Sequence, residues 1–287
     1  MSSIIDNITL IVENEKGKQL QLTDNPNYDV LSVEGTNPPK ADINTVTVSG
    51  SDGSRFNSSR LSKRNLVITL NIRPPTEENR IHLYKYFRVK HTVRIYYRIE
   101  NRNAYIDGYV ESFENNPFTP LQQPQISVIC PEPYWKELDE LLVSFSHTVN
   151  LFSFPFSIDS QGMEFSRIEH FSETVINTGD IATGGIIRFH ATAQVSKPVF
   201  HNYTNNTFFG LDMELYEGDT VIINTQKGEK SLTLFRGGMA LDMLSSRMEN
   251  SKWIVFEAGE NQIGFTADDG TEYLDVSIEI IRKYEGM

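Results

Sequence analysis

The chain has 287 residues, 39% of them hydrophobic, with 17 Phe, 12 Tyr and a formal net charge of −12. Aromatic content this high excludes a disordered chain and predicts packed cores, enough for two domains of ordinary size. A single cysteine, Cys130, excludes an intrachain disulfide, and no apolar run reaches the ~18 residues of a membrane-spanning helix.

The charge is uneven. Residues 1–135 hold 15 basic and 15 acidic side chains, and residues 136–287 hold 11 and 23. Within the first half, residues 55–102 carry 12 basic groups against three acidic ones. This change of character predicts two domains in different surroundings, 1–140 and 141–287. Residues 1–10 lack the apolar core of a signal peptide, so synthesis and folding in a cytoplasm are expected.

In chain order, residues 8–12 read as a strand, 15–18 as a turn and 19–22 as the return. Residues 43–48 alternate, with Ile43, Thr45 and Thr47 on one face and Asn44, Val46 and Val48 on the other. Gly50 and Gly53 make 49–53 a flexible loop. Residues 66–72 form a strand ended by Pro74-Pro75. A helix is predicted from Thr76, its cap, with Glu77 and Glu78 in the first turn, where the helix dipole favours acid. Ile81, Tyr84 and Phe87 follow helical spacing, and the helix is predicted to end near His91.

Residues 92–99 return to period two, with Val93, Ile95, Tyr97 and Ile99 opposite Thr92, Arg94, Tyr96 and Arg98. Strands follow at 105–113, where Gly108 marks a bulge or close approach, and at 125–130, stopped by Pro131 and Pro133. Residues 136–162 read as a connector, with one short helix at 136–142 and an apolar stretch at 143–158. Beyond it, strands are predicted at 165–171, 173–176, 185–193, 208–216, 220–225, 231–235, 253–256, 262–267 and 273–284, with a short helix at 240–246. Many short strands separated by polar turns such as Asp268-Asp269-Gly270 predict a sandwich or jelly roll. The fold class is therefore mainly β with one or two short helices.

Catalytic signatures are missing from the sequence. Gly184-Gly185 and Gly237-Gly238 lack the spacing of a phosphate-binding loop, and there is no Gly-x-Ser-x-Gly elbow. Cys130, beside Pro131 at the end of an apolar strand, reads as a buried small hydrophobe. Metal readings are His170 between Glu169 and Glu173, and a cation site of Asp212, Glu214 and Asp219; solvated surface charge accounts for both better. No catalytic residue, metal or cofactor is expected. Arg94 and Arg98 flanking Tyr96 would suit single-stranded nucleic acid. The acidic whole, and the frequency of Arg at protein interfaces, favour a protein partner.

Two stretches resemble the distal tail protein family of long-tailed phages and phage-tail-like bacteriocins. The first runs from Gly50 through Arg60-Leu61-Ser62-Lys63-Arg64 and Tyr105-Ile106-Asp107-Gly108 to Cys130-Pro131-Glu132-Pro133-Tyr134-Trp135. The second runs from Asn177-Thr178-Gly179-Asp180 through Glu217-Gly218-Asp219 and Trp253 to Tyr284-Glu285-Gly286-Met287. The resemblance implies an N-terminal domain that closes a ring, usually of six copies, between tail tube protein and hub protein. It also implies a galectin-like C-terminal sandwich outside, an attachment point for receptor-binding proteins, and no enzymatic activity. Arg55, Arg60, Arg64, Arg94 and Arg98 are then the expected interface residues. The alternative, direct glycan binding, would use Tyr203, Phe208 and Phe209, with Trp253 reserved for the core.

Overall fold

The computed structural model describes residues 8–47, 49–50, 52–145 and 171–287. Glu169 and His170, residues 146–158 of the predicted apolar stretch, and the predicted strand 165–171 up to its last residue lie outside them. The chain divides into two compact units, Met1–Asp139 with Lys283–Met287, and Glu140–Arg282.

The first unit is built from β1 (Thr9–Asn14), β2 (Gln19–Gln21), β3 (Tyr28–Glu34), β4 (Ala41–Thr47), β5 (Ser54–Leu61), β6 (Arg64–Ile72), α1 (Thr76–Leu83), β7 (Thr92–Ile99), β8 (Arg102–Glu114), β9 (Gln125–Cys130) and β10 (Trp135–Glu137). Its main sheet runs β2-β1-β7-β8-β9-β6-β3, all antiparallel, with β10 added on β8. Period two decides the core. Leu66, Ile68, Leu70 and Ile72 alternate along β6 and are all buried, as are Val93 and Ile95 of β7 and Ile126, Val128 and Cys130 of β9. Gly108 is a close-approach point, because a Cβ there would stand 2.6 Å from Val128 Cγ1.

The helix is shorter than its pattern suggested. It stops at Leu83, and Pro75 is its N-cap, without a side-chain cap bond. The residues buried beneath it are Leu83 and Phe87, four apart, while Ile81 and Tyr84 are exposed. Asn79 anchors the first turn instead of Thr76, its Nδ2 donating to the Arg73 carbonyl at 2.8 Å.

The second unit contains β11 (Leu141–Phe145), β12 (Phe171–Asn177), β13 (Gly185–Ala191), β14 (Val195–Ser196), β15 (Val199–Asn202), β16 (Thr207–Gly210), β17 (Glu214–Leu215), β18 (Thr220–Asn224), β19 (Ser231–Arg236), β20 (Met239–Asp242), β21 (Gly259–Thr266) and β22 (Leu274–Ile280). One sheet runs β11-β22-β13-β18-β19-β20, the other β12-β21-β15-β16, and β14 pairs with β17. Ile187, Phe189, Val221, Ile223, Val276 and Ile278 from the first meet Val175, Phe200, Phe209, Ile263 and Phe265 from the second in one buried cluster. That is a β-sandwich. The helix predicted at 136–142 is instead β10 and the start of β11, and the one at 240–246 is β20 plus a single 3-10 turn, Leu244–Ser246. Residues 253–256 contribute one isolated bridge, Thr183 to Phe256, and no strand.

After the second unit the chain supplies β23 (Lys283–Tyr284) to the first, pairing with β10 through Trp135 opposite Tyr284 and Lys136 opposite Lys283. The predicted strand 273–284 is therefore two strands, one in each unit.

Candidate assembly interface

The hairpin of β4 and β5 forms a two-stranded sheet of its own in the first unit. Among the described residues it pairs with no other strand, and each residue of its two strands is exposed except half-buried Leu61. Its register gives it two unlike faces. Ala41 lies opposite Leu61, Ile43 opposite Ser59 and Thr45 opposite Phe56, so Ala41, Ile43, Phe56 and Leu61 share one face. Asp42, Arg60, Arg55 and Val46 share the other. Phe56 is 67% exposed and Ile43 64%. An amphipathic ribbon with its apolar side in water is an element shaped for contact with another surface.

The five arginines fall into three groups. Arg55 and Arg60 are exposed on the hairpin, Arg60 beside Asp42 at 3.7 Å. Arg98 is exposed near the end of β7. Arg94 and Arg64 are engaged inside the unit. Arg94 faces Asp107 directly across β7 and β8, with Nε donating to Oδ1 at 2.6 Å, and its guanidinium lies 4.2 Å over the Tyr105 ring. That pairing holds the Arg94 pKa above the ordinary arginine value.

Arg64 is only 3% exposed. Its Nε donates to the Pro133 carbonyl at 2.7 Å, Nη1 to those of Gly35 and Asn37, the latter at 2.8 Å, and Nη2 to that of Glu285 at 2.5 Å. Burial pushes its pKa down. Gly35 permits this approach, since a Cβ there would strike the Asn65 carbonyl and its φ is +85°. Arg64 thus knots three loops together and offers no donor fork to a neighbouring chain.

In the second unit, Tyr203 is 44% exposed, Phe208 half-buried and Phe209 fully buried. Phe209 is a core residue, its ring 5.0 Å from Trp253, and cannot touch a ligand. Trp253 is half-buried and packs against that core. Tyr203 stacks on His201, with ring planes 6° apart and centroids at 5.5 Å. Burial holds the His201 imidazole below its usual pKa. Beside Tyr203 lies a shallow groove of about 450 Å³, lined among the described residues by Ser172, Tyr203, Thr204 and Gln262.

The acidic trio does not assemble. Asp212 pairs with Lys197 at 2.9 Å, Glu214 accepts from Ser196 at 2.7 Å, and Asp219 is held by Arg236. Among the described residues, no group of three or more His, Cys, Asp or Glu is placed to hold a metal ion. Cys130 is buried in the core, and burial pushes its thiol pKa up to about 12.

Residues 15–130, which include the hairpin, match the family described as phage tail protein RIFT-related domain. No curated protein sequence matches the chain. Among solved structures, the Dit protein of phage SPP1, described as a paradigm of the hub adsorption apparatus of phages infecting Gram-positive bacteria, superposes with a TM-score of 0.69. The match has 15% identity and covers 96% of this chain and 98% of that one. A chain of the phage P2 baseplate, in its activated conformation with Ca, superposes with a TM-score of 0.53 at 10% identity, covering 95% and 97%. Residues 15–130 of the first unit are thus similar to a phage tail domain. The resemblance to distal tail proteins read from the sequence is borne out by this likeness in fold to the SPP1 Dit protein.

Proposed function

We propose that the chain is a virion component of the tail tip that associates with copies of itself into a ring, six in number. The ring joins tail tube to hub, in a phage or a phage-tail-like bacteriocin, and carries receptor-binding proteins on its outer sandwich. The observation that carries this reading is the amphipathic β4–β5 hairpin. A closed ring needs heterologous contacts, in which one patch meets a different patch on the neighbour. A ribbon projecting its own apolar face, with Arg55 and Arg60 on its back, is suited to that task. Catalysis has no part in this reading.

The test is the mass of the purified chain by light scattering, wild type against Ile43→Ser with Phe56→Ser. Both side chains are exposed, so the double variant folds normally and runs as a monomer, while the wild type forms a discrete oligomer. A variant that assembles like wild type, with unchanged mass and concentration dependence, removes the hairpin from the interface.

Direct glycan contact is a second reading, favoured by Tyr203 alone. Its exposed ring beside the uncharged Ser172, Thr204 and Gln262 suits a neutral sugar. Host cell-wall glycan should then bind the wild type and not Tyr203→Ala; equal binding by both discards the site.

A further inference from the structure

We infer that Lys283–Met287 is a latch that completes the first unit only after the second unit has been made, withholding the finished fold until synthesis has passed both. The bonds it makes are dense for five residues. Tyr284 is 5% exposed and shares the buried cluster of the first unit with Trp135, its strand partner. Its hydroxyl donates to Glu137 Oε2 at 2.7 Å, and the Arg102 guanidinium lies 4.3 Å over its ring. Lys283 Nζ reaches Glu132 at 2.5 Å. Arg64 donates to the Glu285 carbonyl, 221 residues away, and Arg102 to the Gly286 carbonyl at 2.6 Å. The Met287 amide donates to the Thr36 carbonyl at 3.1 Å. Gly286 has no room for a side chain, since a Cβ would stand 2.8 Å from Pro38 Cδ.

Removing the segment would leave β10 without its outer partner and take one acceptor from each of two arginines. One of these, Arg64, is the buried tie of the 35–37 and 133 loops. The unit that emerges first is therefore the one that lacks a piece. Ribosomes add roughly 5–20 residues per second, so Glu140–Arg282 imposes a delay of about 7–30 seconds. During that interval β8 and β10 lack their closing contacts. The latch does not depend on the proposed function.

Hydrogen exchange of the full-length chain, of a form ending at Arg282, and of Tyr284→Ala tests this. Amides of β8, β9 and β10 should exchange about tenfold faster or more in both variants, while those of β13, β18 and β22 keep their wild-type rates. Light scattering of the same samples reads assembly separately. Exchange within about twofold of wild type in β8–β10 for both variants overturns the latch. So does acceleration spread equally over both units, which would make the segment a general stabiliser. A wild type that never oligomerises counts against the ring and leaves the exchange result to decide the latch.

Discussion

Arg64→Met removes a buried cation but keeps much of its stem, so the cavity it opens is small. Four hydrogen bonds to carbonyls vanish with it, those of Gly35, Asn37, Pro133 and Glu285. At ~1.5–3 kcal/mol for each bond to a charged donor, the gross loss is about 6–12 kcal/mol. Against this stands the cost of burying the guanidinium, several kcal/mol, which the variant no longer bears; the depressed arginine pKa reflects that cost. The net expectation is a first unit destabilised by about 3 kcal/mol. Trp135 and Trp253 lie one in each unit and are the two tryptophans of the chain, so urea unfolding with single-Trp backgrounds reads the units separately. The Trp135 transition should move to lower urea and the Trp253 transition should stay. Arg64→Lys should recover less than half of the loss, because an ammonium cannot reach carbonyls of three loops at once. A loss under ~1 kcal/mol, or full recovery by Lys, refutes the knot.

Two further measurements address the second unit and the cysteine. Asp219 is nearly enclosed, accepting from Arg236 Nε at 2.9 Å and from the Tyr216 amide at 2.8 Å, and these bonds, Arg236 foremost, hold its carboxyl below the usual range. A depressed folded pKa contributes stability that is complete above the unfolded value, near 3.9, and disappears as pH falls through the folded one. Asp219→Asn is therefore expected to cost about 2 kcal/mol at pH 7, and the deficit should shrink below about pH 4 in calorimetry. A deficit independent of pH contradicts the charge argument. Cys130, buried with its thiol raised to about 12, should stay unmodified by iodoacetamide at pH 8 in the native chain and react once urea unfolds the first unit. Rapid native labelling would mean that the core opens there.

Sequence pattern reached the central strands and missed the margins, for reasons visible in particular residues. β6 and β22 each have a buried face, and alternation announces them. β3 is an edge strand with a register shift between Val30 and Ser32, which turns Leu31 outward and breaks the alternation. β5, Ser-Arg-Phe-Asn-Ser-Ser-Arg-Leu, packs on no core of its own, so it carries little periodicity to find. Residues 136–142 have helical composition, yet β10 and β11 are drawn into sheets by partners near Tyr284 and Ile280.

The candidate sites divide in the same way. Adjacent residues of a strand point to opposite sides, so Phe208 and Phe209 could not both be core or both be surface. Which one turned inward depended on the sandwich: His201 pairs with Phe208 and Phe200 with Phe209, whose rings meet the buried cluster. Arg64 looked like its basic neighbours because the groups that bind it are main-chain oxygens. Any residue supplies those, and no pattern of side chains marks them.

The hairpin also carries a hazard for a protomer that has not yet met its companions. A greasy ribbon loose in a crowded cell is prone to stack edge to edge with its own kind. The register slip between Asn44 and Thr45 kinks the ribbon, and Arg55, Arg60 and Asp42 on its back keep water bound there. Overproduced alone, the chain should show only its discrete oligomer in dilute low-salt buffer and begin open-ended clumping as salt masks those charges, well before either core melts.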